Sequence, residues 1–175
     1  DTAGNIASKT DPLGNVTEYA HDNSGRLLEI VEAFGTAEQA SWDLFRDANG
    51  RVTSAVDPLG GTVSTTYSVL GRKTSETDAL GNTTGWAYDI HGNPTAITHP
   101  DGTTTARSYD LEGRMLSETD EVGRISSYTY DGAGNRLTET LPDGSTYAYT
   151  YDAAGRVTAA ALPGGQTMSM TRNEI

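Results

Sequence analysis

The chain has 175 residues, 35% of them hydrophobic, with 24 acidic against 12 basic side chains, a formal net charge of −12 and no cysteine. That apolar share is below the roughly 45–50% of an average globular domain, so a thin sheet is easier to supply than a thick two-sided core. The charge repels nucleic acid and anionic lipid and favours a basic polypeptide or a small cation as partner, while the missing cysteine excludes a disulfide framework and thiol chemistry. No run reaches the roughly 18 apolar residues of a membrane span, so no direct membrane insertion is expected, and Asp1-Thr2-Ala3-Gly4-Asn5 carries neither the basic nor the apolar segment of a signal peptide.

Read in chain order, glycines mark the turns. Gly4, Gly25, Gly50, Gly71, Gly92, Gly113, Gly134 and Gly155 form one series, and Gly14, Gly35, Gly60, Gly81, Gly102, Gly123, Gly144 and Gly165 form the other; together they are 16 of the 20 glycines. From Gly50 onward each series advances by 21 residues, and the break is four extra residues between Gly35 and Gly50. In Asp11-Pro12-Leu13-Gly14 and Asp57-Pro58-Leu59-Gly60, proline presets φ and glycine supplies the positive φ with which the chain re-enters a strand. Asp89, Asp110, Asp131 and Asp152 open turns of the other series, where the carboxylate can accept backbone N–H groups of its own turn.

Between turns the runs are about seven residues long and rich in Thr, Tyr, Val and Ile, which suits strands and leaves no room for ordinary helices. Tyr19 and His21 follow Gly14 on one face, and Phe34 to Gly50 holds the irregular repeat. With Arg46 in the tyrosine slot, Trp42 and Leu44 share the aromatic face and the extra residues fall in a longer loop near Thr36 to Ala40, a short helical turn there being the alternative. Tyr67, Tyr88, Tyr109, Tyr130 and Tyr151 recur at 21 residues and predict a ladder, with Trp86, Arg107, Tyr128, Tyr147 and Tyr149 on the same face. Gly85, Ala87, Ala106, Ser108 and Ser127 fall on the opposite, small face, and Arg172 fills a last tyrosine slot. The expected architecture is all-β: residues 1–175 as about eight partial or complete 21-residue repeats with a four-residue insertion between Gly35 and Gly50, 14 to 16 short antiparallel strands in one extended strip, a piece of a longer wall because an isolated strip would leave edge strands able to pair with other chains.

Tyr109-Asp110-Leu111-Glu112-Gly113-Arg114, Tyr130-Asp131-Gly132-Ala133-Gly134-Asn135-Arg136 and Tyr151-Asp152-Ala153-Ala154-Gly155-Arg156 are similar to the YD repeats of the Rhs family. Tyr88-Asp89-Ile90-His91-Gly92-Asn93 also fits, whereas Tyr67-Ser68-Val69-Leu70-Gly71-Arg72 departs at Asp and His21-Asp22-Asn23-Ser24-Gly25-Arg26 departs at Tyr. The resemblance covers practically the whole chain. It implies a curved or spiralling strip of a hollow shell, as in bacterial polymorphic toxins, the B and C components of insecticidal toxin complexes, and animal teneurins. It further implies a large secreted or cell-surface parent, with flanking repeats, an enclosed C-terminal toxin polypeptide and secretion-system components as partners. No stretch matches that family's shell-sealing core with its self-cleaving aspartate site.

The structural repeat residues are therefore the candidate site: the five tyrosines, Asp89, Asp110, Asp131 and Asp152, and glycines Gly60 through Gly155 on the two series. No catalytic, cofactor or metal residue is assigned. His21, His91 and His99 show no paired zinc spacing, no Gly-x-Ser-x-Gly elbow occurs, and the acids Asp120, Glu121 and Asp143 lack the spacing of a calcium repeat. Glu76, Glu118 and Glu139 are expected to be solvated or paired with arginine across strands. The alternative function is a carbohydrate-binding or adhesive surface, with Trp86 and Tyr128 as stacking rings.

Overall fold

The computed structural model describes residues 1–170 as sixteen β-strands, with no helix among the described residues. The strands are β1 (Ser8–Thr10), β2 (Val16–His21), β3 (Leu27–Glu32), β4 (Ala40–Arg46), β5 (Val52–Val56), β6 (Thr62–Tyr67), β7 (Lys73–Thr77) and β8 (Thr83–Tyr88). They continue with β9 (Pro94–Thr98), β10 (Thr104–Tyr109), β11 (Met115–Thr119), β12 (Ile125–Tyr130), β13 (Arg136–Thr140), β14 (Thr146–Tyr151), β15 (Val157–Ala161) and β16 (Thr167–Ser169). Arg172 lies outside the described residues.

The chain divides into two units, Asp1–Thr84 and Gly85–Ile175. In the first, β1 to β7 pair consecutively and antiparallel. In the second, β8 to β16 do the same. The all-β antiparallel reading of the sequence is thus the fold.

Each strand ends where its turn chemistry requires. In the first hairpin the Asp11 amide donates to the Asn15 carbonyl at 3.0 Å and the Gly14 amide to the Asp11 carbonyl at 3.0 Å. This is a three-residue loop whose last residue is left-handed. Gly14 has φ of 89°, and all sixteen glycines of the two series have positive φ. Gly61 is different: its φ is ordinary, but a Cβ there would lie 2.5 Å from an Asp57 carboxylate oxygen, so space and not backbone freedom requires glycine.

The irregular repeat keeps its strands and lengthens its loop. The chain leaves β3 at Glu32 and re-enters at Ala40, with Ala33 at φ 51° as the one non-glycine residue of positive φ among those described. Thr36 secures the loop by donating both its amide (3.1 Å) and its hydroxyl (2.7 Å) to the Ala33 carbonyl.

Neither unit has an interior. Val31 (8% exposed) and Ala160 (7%) are the buried hydrophobic residues among those described. A single sheet layer leaves both faces accessible, so stability rests on ladder hydrogen bonds, turn contacts and same-face neighbours.

Candidate functional site

A β-bulge precedes each tyrosine slot from His21 to Tyr151. The pairing register shifts at Ala20/His21, Phe45/Arg46, Thr66/Tyr67, Ala87/Tyr88, Ser108/Tyr109, Thr129/Tyr130 and Thr150/Tyr151. A bulge sharpens the local twist and re-aims a side chain. Here it turns the phenol back across the sheet. The Tyr67 hydroxyl donates to the Val52 carbonyl at 2.9 Å, Tyr109 to Pro94 at 3.0 Å, Tyr130 to Met115 at 2.9 Å and Tyr151 to Arg136 at 2.7 Å.

Those carbonyls stand where hairpins open. β11 and β12 pair from Ser117–Ser127 to Thr119–Ile125, so Met115 lies two residues beyond the last ladder pair. The hydroxyl supplies the donor that the neighbouring strand no longer provides, which matters because a part-buried carbonyl otherwise competes for water. Arg46, standing in the slot, does the same work: its Nη2 donates to the Leu27 carbonyl at 3.0 Å. His21 does not complete the series; its Nδ1 is buried without a hydrogen-bond partner, 4.0 Å from an Asp1 carboxylate oxygen and beside a recess of about 530 Å³.

The aspartate after Tyr88, Tyr109, Tyr130 and Tyr151 folds back into its own turn. Asp131 Oδ1 accepts the amides of Ala133 (2.9 Å) and Asn135 (2.8 Å), and Oδ2 accepts Asn135 Nδ2 at 2.8 Å. Asp110 and Asp152 hold Arg114 and Arg156 in the equivalent way, through amide and Nε. Asp89 holds Asn93 likewise. The Asn135 side chain, then its amide, keeps the Asp131 carboxyl below the ordinary aspartate range, and the Arg156 amide does the same for Asp152.

Arginine following the glycine ties one repeat to the next. Arg114 lies over the Tyr130 ring, 5.1 Å from its centroid, and its Nη1 donates to the Asp131 carbonyl at 2.9 Å. Arg51 repeats this with Tyr67 at 4.8 Å and Ser68 at 3.2 Å. Phenol and left-handed glycine recur every 21 residues from Tyr67 to Gly155, with carboxylate and guanidinium completing the connector except where Ser68 replaces the aspartate and Asn93 and Asn135 replace the arginine.

The two faces of the second unit differ in chemistry. Cross-strand pairs such as Ala87–Ala96, Ala106–Thr119, Ser117–Ser127, Thr138–Ala148 and Ala148–Ala161 put mostly small and hydroxyl residues on one face, with Ile125 and the bulge residues Leu116 and Leu137 among them. Hydroxyls bond one another there, Ser108 to Ser117 at 2.7 Å and Thr129 to Thr138 at 2.6 Å. Charge collects on the aromatic face, where Arg107 meets Glu118 across strands at 2.8 Å. Glu76 and Glu139 depart from the cross-strand expectation, pairing along their own strands with Lys73 (2.6 Å) and Arg136 (3.2 Å). Arg136 sits between the rings of Tyr128 and Tyr149, at 5.7 and 5.3 Å. In the first unit the corresponding face carries Glu29 opposite Asp43, with Leu28 and Phe45 beside them.

The acids weighed as calcium ligands are engaged locally. Asp120 holds Arg124 at 2.7 Å, Asp143 accepts the Ser145 amide at 2.8 Å, and Glu121 lies 3.2 Å from His99 Nε2. His91 is an exposed turn residue. Among the described residues no three His, Asp or Glu side chains are grouped to hold a metal ion.

The crystal structure of TcdB2-TccC3-TEV superposes with a TM-score of 0.62 at 18% identity, covering 88% of this chain and 9% of that one. That of TcdB2-TccC3 gives 0.54 at 17% identity, covering 93% of this chain and 11% of that one. The chain therefore spans about a tenth of the length of the structures it resembles, and the likeness is one of fold. No curated protein sequence matches. The RHS Repeat family matches residues 1–37, 46–83, 67–104, 109–146 and 135–167, three of the matches beginning at the slot residues Arg46, Tyr67 and Tyr109, and the chain belongs to that family.

Proposed function

We propose that this chain is a passive segment of a containment wall in a larger exported Rhs-type toxin or effector, continued by flanking repeats and enclosing a C-terminal polypeptide. The observation that carries this reading is the recurring hydroxyl-to-carbonyl connector in a sheet without a core of its own, which is a design for extending a surface. The structural role follows from family and fold; the enclosed cargo, the secreted or cell-surface location, the secretion-system partners and the absence of catalysis are the proposal. In the second unit a face of mostly small and hydroxyl residues without charged strand residues suits a wall that touches a polypeptide without capturing one fold, and in the first unit Glu29 and Asp43 favour basic segments of it.

The test expresses the complete parent, the parent lacking this segment, and the segment alone, with limited proteolysis of the cargo and toxicity in cells as readouts. Containment predicts protease-resistant cargo with the intact wall, exposed cargo after deletion and no toxicity from the segment alone. Equal resistance after deletion, or a toxic segment, ends the proposal. The carbohydrate alternative is weakened by Arg136, which occupies the faces of Tyr128 and Tyr149 that a sugar would need. Glycan-array binding lost on replacing Trp86 and Tyr128 would restore it.

A further inference from the structure

The recess beside His21 has the walls of a phenol seat and no phenol. It is lined by Gly4, Asn5, Ile6, Tyr19, His21 and Leu27. By repeat position Asn5 is the counterpart of Arg114, Ile6 of Met115, Tyr19 of Tyr128, His21 of Tyr130 and Leu27 of Arg136. Those are the groups around the Tyr130 ring: Arg114 lies over it, the Met115 carbonyl accepts its hydroxyl, and Arg136 pairs with it across the strands while contacting Tyr128. The same set of positions therefore borders an occupied seat in one repeat and a hollow of about 530 Å³ in the other.

Two short side chains leave the hollow open. His21 brings no donor to the backbone: its Nδ1, 4.0 Å from Asp1 Oδ2, makes no hydrogen bond. Asn5 folds back into its own turn, donating Nδ2 to Asp1 Oδ2 at 3.0 Å, where Arg114 reaches forward over the next ring. Among the described residues no hydroxyl donates to the Ile6 carbonyl, and Ile6 is 69% exposed. Val52, Pro94, Met115 and Arg136, which hold the same place beside Tyr67, Tyr109, Tyr130 and Tyr151, are half-buried. Ile6, Leu27 and Tyr19 thus offer an apolar bed with one backbone acceptor, the combination that holds and orients a small ring. Asp1 beside the recess and the net charge of −12 disfavour an anion.

We propose that this recess binds a para-hydroxyphenyl ring, its hydroxyl donating to the Ile6 carbonyl and its ring lying against Tyr19, Ile6 and Leu27. A free phenol and the tyrosyl side chain of a polypeptide share this chemistry. The seat belongs to the chain itself and stands whether or not a cargo is enclosed.

Nuclear magnetic resonance of the 175-residue chain titrated with p-cresol reads the site through the amides of Ile6, His21 and Leu27, while those of Met115 and Arg136 report on the filled seat. Shifts are expected in the first set alone. Toluene, which lacks the hydroxyl, should bind about fivefold more weakly, the factor that one net hydrogen bond carries. His21→Tyr supplies its own phenol and should abolish binding. Leu27→Ala removes a wall without filling the seat and should weaken binding with the sheet intact by circular dichroism. A blocked tripeptide with tyrosine at its centre separates the sources: binding as tight as that of p-cresol assigns the seat to a polypeptide side chain, and binding of p-cresol alone assigns it to a free phenol. No shift at Ile6 and Leu27 up to the solubility limit of p-cresol, equal shifts at the filled seat, equal affinity for toluene, or undiminished binding to the His21→Tyr variant overturns the proposal.

Discussion

Tyr130→Phe isolates the bond on which the connector depends. The substitution keeps the ring, and with it the Arg114 contact at 5.1 Å, and removes only the hydroxyl that donates to the Met115 carbonyl at 2.9 Å. A net hydrogen bond contributes about 1 kcal/mol, and this carbonyl is near enough to solvent for water to replace part of it, so the expected loss is about 0.5–1.5 kcal/mol. Tyr149 is the control: its ring also meets a guanidinium, at 5.3 Å, but its hydroxyl bonds no carbonyl among the described residues. Tyr149→Phe should therefore cost nearly nothing. Tyr130→Ala adds loss of a half-buried ring and should cost on the order of 3 kcal/mol, the low end of large-to-small aromatic replacements. Urea titration gives the global cost, and hydrogen exchange over residues 115–130 shows whether the hairpin of β11 and β12 opens first. Equal midpoints and equal exchange for Tyr130→Phe and Tyr149→Phe would refute the connector.

Acid should loosen the turns opened by Asp11, Asp22, Asp78, Asp89, Asp120, Asp131 and Asp152 together. The carboxyls of Asp11, Asp78, Asp89 and Asp131 are lowered chiefly by an asparagine side chain, and those of Asp22, Asp120 and Asp152 by an arginine amide. Lowered folded values mean stabilisation that is full above the ordinary aspartate range and lost as pH falls through the folded values beneath it, which a melting temperature followed from neutral pH into acid will show. Gly144→Ala should cost about 1–2 kcal/mol because its φ is 83°, whereas Gly132→Ala, with ordinary φ and open space, should be nearly neutral; thermal melts compare them. His21→Tyr should raise the melting temperature, since it replaces a buried unpartnered Nδ1 with the hydroxyl used elsewhere in the ladder.

The lattice was legible because glycine reports backbone and not packing. Only positive φ makes a glycine necessary at a loop end, so sixteen such positions in two series write the turns, and with them the strands, directly into the sequence. Burial left no comparable mark: a single layer has no inside, and alternation tells which residues share a face without telling what each touches. The reach of the tyrosine hydroxyl to a carbonyl fifteen residues back was hidden for that reason, as was the pairing of Glu139 within its own strand. A reading of ring spacing alone suggests rings packing from repeat to repeat; the bonds in the structure run from hydroxyl to backbone.

The substitutions in the slot show what the slot selects. Arg46 shares no ring with tyrosine, yet it places a donor on the Leu27 carbonyl, across an interval longer by the four residues inserted in the loop. The insertion lengthens the loop between β3 and β4 and leaves the spatial relation of slot and carbonyl unchanged. A requirement for aromatic packing would have excluded arginine; a requirement for a long side chain ending in a donor admits it and penalises histidine, whose ring is too short to bring an N–H to the same place. The repeat is therefore conserved in geometry through this chain even where its letters change, and the unit that extends the wall is a donor delivered across a bulge to an open hairpin end.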